Sequence, residues 1–99
     1  AGFIDETRAV MKTMRNFCTE IEDLLFGNEI FQSRTRGIGV IPKDIAMQYG
    51  MSGANARASG IDWDLRRDQS LPMAWDKVDW KVWTHPDGDS FARCWVRLR

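Results

Sequence analysis

Residues 3–26, FIDETRAVMKTMRNFCTEIEDLLF, repeat apolar side chains at the spacing of an α-helix. Two ridges share Met14 and Ile21: one adds Val10, Phe17 and Leu24, and the other adds Met11, Cys18 and Leu25. The stripe is broad, so residues 1–27 are predicted to form one long amphipathic helix that packs on at least two other elements. Gly27-Asn28 supplies the residues of a left-handed stop at its C-terminus.

Three shorter segments follow this helix. Residues 28–50 are predicted to form short helices around a turn at Gly37-Ile38-Gly39, with Pro42 starting one helix and Gly50 ending it. Residues 51–86 are predicted to be an ordered loop with a short strand, because Val78, Trp80 and Val82 alternate with polar residues. The predicted fold class is therefore mainly α with a short β element (α+β), with residues 1–99 forming one fragment.

The last segment, residues 87–99, is predicted to start a C-terminal helix capped by Asp87 or Asp89. Phe91, Cys94, Trp95 and Leu98 would share one face of it. No Gly or Pro follows the last periodic residue. We therefore expect the sequence to be an interior fragment of a longer chain.

Composition excludes several classes of function. The 14 Lys and Arg residues balance 14 Asp and Glu residues, so no net positive charge draws the chain to nucleic acid. No apolar run approaches the roughly 20 residues of a membrane span, so we expect no direct span. The two cysteines, Cys18 and Cys94, do not form a C-x-x-C pair and cannot by themselves build a zinc or iron–sulfur site. Five Trp residues favour burial of some surface against a partner.

Two local patterns invite a catalytic or cofactor interpretation. Gly37-Ile38-Gly39 lacks the third glycine of a dinucleotide loop, since Pro42 stands in that place. His85 lies beside Pro86 in a turn, where capping and turn formation explain its acidic neighbours. We therefore assign no catalytic, cofactor-binding or metal-binding residue within this sequence.

The densest charged segment surrounds Trp63 and Leu65. Two interpretations remain open: the arginines and aspartates form ion pairs and caps that shape a loop, or Arg57, Arg66 and Arg67 face a partner subunit. Both interpretations concern the same predicted subunit-contact or loop-shaping residues, which are Arg57, Asp62, Trp63, Asp64, Arg66 and Arg67.

From Glu22 onward the sequence resembles the D subunit of NADH-quinone oxidoreductase, the hydrogenase-like large subunit of the peripheral arm of respiratory complex I. The resemblance is carried in order by these blocks: EDLL (22–25), GN (27–28), IF (30–31), RT (34–35), GIGV (37–40), SG (52–53), RASGI (57–61), WDLR (63–66), GD (88–89), AR (92–93) and VR (96–97). The block RASGIDWDLRR (57–67) is far more specific than any single glycine pattern.

The resemblance implies a helical segment of a nickel–iron-hydrogenase-like large subunit, serving as scaffold near the quinone site. It implies the B subunit and the C subunit of the complex as partners, with quinone bound at the level of the full-length D subunit. Quinone, NADH, FMN and iron–sulfur clusters belong to the whole proton-translocating complex, and none is expected on this fragment. The resemblance also implies a peripheral position on the cytoplasmic face of a bacterial inner membrane. The family residues that contact quinone lie upstream of this sequence, so no catalytic role is transferred.

Two alternatives remain open at this stage. The large subunit of a membrane-bound nickel–iron hydrogenase shares the implied fold and a similar R-A-S-G segment. A free-standing protein-interaction module is the third possibility. Metal-binding C-x-x-C pairs in the flanking sequence would favour the hydrogenase, and cooperative unfolding of the isolated chain as a monomer would favour the module.

Overall fold

The structure, a computed structural model, describes residues 2–69 and 74–99. Six α-helices occur within these ranges: α1 (Gly2–Ile21), α2 (Glu29–Thr35), α3 (Lys43–Gln48), α4 (Gly53–Ala58), α5 (Leu65–Asp68) and α6 (Ser90–Leu98). A π-helical turn, Glu22–Phe26, continues α1, and a 3-10 turn spans Ala74–Lys77. The predicted mainly helical fold is confirmed.

The predicted β element is wrong for the described residues, which contain no strand. Residues 78–83 are irregular, although Val78, Trp80 and Val82 alternate as in a strand. Trp80 packs edge-on against Trp75, and Trp83 packs edge-on against Trp95. These Trp side chains therefore make pairwise ring contacts in place of the cross-strand contacts of a sheet. Alternation indicates a strand only where a second strand completes the hydrogen-bond ladder, and the described part of the chain offers none.

The junction between α1 and α2 differs from the predicted left-handed stop. Gly27 has a right-handed φ of −79°, and a Cβ at this position would lie 2.7 Å from the carbonyl oxygen of Asp23. The carbonyl of Asp23 in the π-helical turn therefore leaves no room for a Cβ at position 27, so this position requires glycine. Asn28 starts the next helix instead of ending the previous one, because its side chain accepts hydrogen bonds from Ile30 N and Phe31 N.

Helix α1 has few packing partners among the residues that the structure describes. None of its residues is buried, and Val10, Met14 and Phe17 are 60%, 53% and 57% exposed. The prediction that α1 packs on two other elements is therefore not met by the described residues. The radius of gyration is 16.1 Å, above the roughly 13 Å typical of a compact domain of this length.

The small core lies between α4 and α6. Ala58 and Ala92 are fully buried and Val96 is 3% exposed, with Ala54 and Trp95 packed around them. The loop predicted for 51–86 is therefore wrong in part, since it contains α4, α5 and the 3-10 turn; its residues 70–73 lie outside the described part. Helix α4 escaped prediction because its buried face consists of alanines, which give little hydrophobic periodicity.

Asp89 connects α6 to the glycine turn. It is 3% exposed, caps α6 by accepting a hydrogen bond from Ala92 N at 2.7 Å, and accepts another from Gly37 N at 2.8 Å. On the same helix Phe91 packs against Phe26 and Phe31. Cys94, predicted to share a face with Phe91, Trp95 and Leu98, is exposed. The predicted cap at Asp89 is therefore confirmed, while the buried face is formed by Phe91, Ala92 and Val96.

Candidate subunit-contact site

The predicted charged segment folds around the carboxylate of Asp64, which is 4% exposed. Arg66 donates to both carboxylate oxygens, from Nε at 2.9 Å and from Nη2 at 2.8 Å. Arg57, which lies on α4, donates from Nη1 at 2.8 Å. The backbone N–H of Arg66 also donates to Asp64 at 3.0 Å, so this side chain caps α5 as well. Asp64 therefore joins α4 to α5.

These contacts favour the ionised carboxylate. The hydrogen bonds from the Arg66 side chain, opposed by burial, lower the pKa of Asp64 from 3.8 to about 2. The same partnership raises the pKa of Arg66 above its ordinary value. A bidentate guanidinium–carboxylate pair of this kind fixes orientation as well as charge. The Arg57–Asp64–Arg66 cluster, with two guanidinium groups on one carboxylate, is therefore a rigid support for the loop with a net charge of +1.

A second ion-pair group lies at the exposed rim. Arg67 donates to Asp62 Oδ1 and to Asp68 Oδ1, both at 2.8 Å, and also to the backbone carbonyl of Asp62 at 2.9 Å. Hydrogen bonds from Arg67 lower the pKa of Asp68. The side chains of Arg67 and Asp62 are 42% and 68% exposed, so water screens these pairs. Their surface position leaves them accessible to a partner.

Arg66 lines two surface grooves. Its guanidinium carbon lies 4.5 Å from the ring centre of Trp80, and with Trp75, Val78 and Val82 it lines a groove of about 450 Å³. The second groove, of about 540 Å³, is also lined by Ser52, Gly53, Arg57, Trp63 and Leu65. Stacking on Trp80 orients the arginine in addition to its pairing with Asp64.

The six predicted residues lie at the end of α4, in the 59–64 loop and at the start of α5, and they differ in exposure. Arg57 and Asp64 are largely buried, whereas Asp62, Trp63, Arg66 and Arg67 reach the surface to different degrees. Three further residues contribute to the site beyond the six predicted. Asp68, which belongs to the same charged segment, accepts from Asp64 N at 2.8 Å, and Trp75 and Trp80 lie beside the Arg66 guanidinium. Asp68 had a detectable signal, since Asp64 and Asp68 are spaced as a helix cap and a first-turn acid.

Residues 2–69 and 74–99 contain no group of His, Cys, Asp and Glu side chains arranged to hold a metal ion. Within the same ranges no helix combines the length and apolar character of a membrane-spanning segment.

The described residues form a helical segment joined through one buried carboxylate, and this fold also occurs in a chain of a respiratory membrane complex. The structure is similar to a chain of the membrane-bound sulfane sulfur reductase, an archaeal respiratory membrane complex, with a TM-score of 0.89 and 28% identity. That similarity covers 99% of this chain and 26% of the archaeal chain.

Residues 1–99 match the family described as the 49 kDa subunit of respiratory-chain NADH dehydrogenase, and the chain belongs to that family. It is 41% identical over 97 residues to the second D subunit of NADH-quinone oxidoreductase of Sinorhizobium medicae. It is 43% identical over 94 residues to the first D subunit of NADH-quinone oxidoreductase of Streptomyces coelicolor. The matches cover 98% and 94% of this chain and 24% of each relative, so the chain spans about a quarter of their length.

Proposed function

We propose that this chain serves as scaffold within the D subunit of an NADH:quinone oxidoreductase, the proton-translocating complex I. The observation that carries the proposal is the family match across residues 1–99. It is supported by the burial pattern of the predicted contact residues, some of which are buried while others reach the surface. Quinone, NADH, FMN and iron–sulfur clusters would act elsewhere in the complex. The described residues would supply shape and contacts to that assembly.

Within this function residues 57–68, from the end of α4 through α5, have two parts. Arg57 and Asp64 shape this segment, because Asp64 is buried, Arg57 is largely buried, and the two pair at 2.8 Å. Asp62, Trp63, Arg66 and Arg67 form the contact rim, where partly exposed Arg and Trp side chains suit a protein interface. We propose the B subunit, beside the quinone cavity, as the neighbour at this rim, and the C subunit as a further neighbour of the polypeptide. The assembly would lie on the cytoplasmic face of the bacterial inner membrane.

The test substitutes Arg66→Ala in the polypeptide that carries this sequence, expressed in its own complex. Loss of the bidentate pair leaves Asp64 with Arg57 alone and removes the side chain stacked on Trp80. We expect a several-fold fall in assembled complex on native gels, with the apparent affinity for quinone unchanged in the fraction that assembles. Normal assembly with a selective loss of quinone binding would contradict the scaffold role.

Arg8→Ala is the matched control, because the Arg8 side chain is 78% exposed and its ion pair with Asp5 is long, at 3.7 Å. Its effect on assembly should be small.

The hydrogenase alternative makes a separate prediction: the purified parent complex would contain nickel. The relatives from Sinorhizobium medicae and Streptomyces coelicolor both carry the name of the D subunit of NADH-quinone oxidoreductase. Elemental analysis of the purified complex distinguishes the two possibilities directly.

A further inference from the structure

Helix α6 carries two arginines that have no carboxylate partner among residues 2–69 and 74–99. Arg93 and Arg97 are four residues apart, so they lie on the same side of the helix, about one turn from each other. Within the described ranges, neither lies within 4.0 Å of a carboxylate oxygen, whereas Arg57, Arg66 and Arg67 all do. Among the described residues Arg15, Arg34 and Arg36 also lack a carboxylate partner, but on α6 two such arginines lie one turn apart on the same side. This side of α6 therefore carries a local positive charge that no nearby carboxylate of the described residues offsets.

Both guanidinium groups are held in place by neutral acceptors. Arg93 donates to the carbonyl of Gly88 at 2.8 Å and to Ser90 Oγ at 3.0 Å. Arg97 donates to Asn55 Oδ1 at 2.9 Å. Each guanidinium carries five N–H donors, so donors remain for a further acceptor. Because the side chains are already oriented, binding a partner would cost less conformational entropy than at a free surface arginine.

The glycine turn completes this surface. A Cβ at Gly39 would lie 3.0 Å from Arg93 Nη2, so the guanidinium packs directly on the turn. Ile38, whose carbonyl accepts from Ser90 N at 2.9 Å, is 54% exposed, and Val40 is 50% exposed. We call Ile38, Val40, Arg93 and Arg97 the arginine face. It combines positive charge with exposed aliphatic side chains.

We propose that the arginine face binds an acidic segment of a neighbouring protein subunit, one that presents two carboxylates about a helical turn apart beside an aliphatic residue. The proposal rests on the proposed function, since it requires an assembly of several subunits. Paired carboxylates match the two guanidinium groups in charge and geometry, and an aliphatic neighbour would cover Ile38.

Two other anionic surfaces fit less well. Anionic lipid recognition generally uses clusters of four to eight basic residues, and this face offers two arginines beside exposed Ile38 and Val40. Nucleic-acid binding would need a net positive chain, and this one is neutral. Protein carboxylates are therefore the occupant that the charge and the aliphatic contacts favour together.

The experiment uses the polypeptide that carries this sequence in its assembled complex. Arg93→Glu with Arg97→Glu should lower retention of the polypeptide in the complex by about tenfold or more. The control, Arg8→Glu with Arg15→Glu on α1, changes the net charge by the same amount and should retain the polypeptide. Equal losses in both double variants would overturn the proposal.

The partner is then identified by a photo-crosslinking amino acid at position 97, followed by a charge exchange. We expect a crosslink to a segment with paired Asp or Glu residues. We also expect retention to be restored when those acidic residues are changed to Arg in the presence of Arg93→Glu and Arg97→Glu. Failure of the exchange would contradict the proposed pairing. Binding of the wild type to phosphatidylglycerol vesicles, lost in the arginine variant, would assign the face to lipid and overturn the proposal.

The behaviour of the wild-type polypeptide distinguishes failure of this proposal from failure of the proposed function on which it rests. If it does not migrate with an NADH:quinone oxidoreductase, the scaffold function fails. If it does, and Arg93→Glu with Arg97→Glu migrates with it unchanged at every ionic strength, only the arginine face is refuted.

Discussion

Arg66 donates hydrogen bonds to both carboxylate oxygens of Asp64, at 2.9 and 2.8 Å, although only one residue separates them in the chain. The geometry is possible because Asp64 is extended, with φ −141° and ψ 126°, before α5 begins. One aspartate therefore caps a helix, binds the first-turn arginine and accepts Arg57 from α4. A short loop thereby connects two helices through a single buried carboxylate.

Asp64→Asn should destabilise the fold by about 3 kcal/mol, because the near-isosteric amide leaves the largely buried guanidinium of Arg57 without its counter-charge. Urea unfolding followed by Trp fluorescence measures this difference. Asp62→Asn makes the same chemical change at a side chain that is 68% exposed, where a surface pair contributes less than about 1 kcal/mol. Equal effects of the two substitutions would contradict the assigned burial of the Asp64 pair.

Stability should fall in acid over a defined range of pH. The pKa of Asp64 is about 2 in the folded chain against an ordinary 3.8, so the folded state binds fewer protons between these values. The stabilisation is complete above about pH 4 and is lost as the pH falls toward 2, amounting to about 2 kcal/mol. The pKa values of Asp68 and Asp89 are also lowered, so they act in the same direction.

The variant Asp64→Asn removes one of these groups and serves as the control for the acid transition. Its unfolding free energy, measured by urea titration between pH 2 and pH 5, should depend less steeply on pH than that of the wild type. An unchanged slope would show that Asp64 does not titrate in this range.

The sequence was sufficient for features that depend on neighbouring residues. The long first helix, the cap at Asp89 and the charged 57–67 segment are local patterns, and each occurs in the structure. Features set by distant contacts were not predictable. Helix α4 presents alanines that become informative only when α6 packs on them, and the alternation at 78–82 misleads because ring contacts replace a partner strand.

The roles within the candidate site show the same limit. The composition of the 57–67 segment indicated ion pairs, but it could not show which carboxylate would be buried or that Trp80 would stack on Arg66. The exposed surface of α1 is the opposite case. Its apolar stripe is evident from sequence, yet the described residues do not cover it.

Gly88→Ala should lower the free energy of unfolding by about 3 kcal/mol, which is more than the strain of placing alanine in a left-handed conformation accounts for. Gly88 has φ +67°, and a Cβ there would overlap the carbonyl of Ile41. Gly50→Ala is the matched control, because Gly50 has φ +63° but no atom within 4 Å of the added Cβ. It should cost about 1 to 2 kcal/mol from backbone strain. Urea unfolding of both variants isolates the steric part, and indistinguishable losses would refute the close approach of residues 41 and 88.

Asp89→Ala should weaken two connections at once. The side chain accepts from Ala92 N at the start of α6 and from Gly37 N in the glycine turn. Loss of a helix cap costs about 1 kcal/mol, and the unpaired N–H of Gly37 adds to it, so we expect about 2 kcal/mol in urea unfolding. Amide exchange should accelerate at both Gly37 and Ala92. Asp89→Asn separates the two effects, because one amide oxygen can keep the cap while the NH2 group cannot accept from Gly37. Faster exchange at Gly37 with Ala92 still protected is the expected pattern for this variant, and protection of both amides in Asp89→Ala would show that the carboxylate does not join the turn to α6.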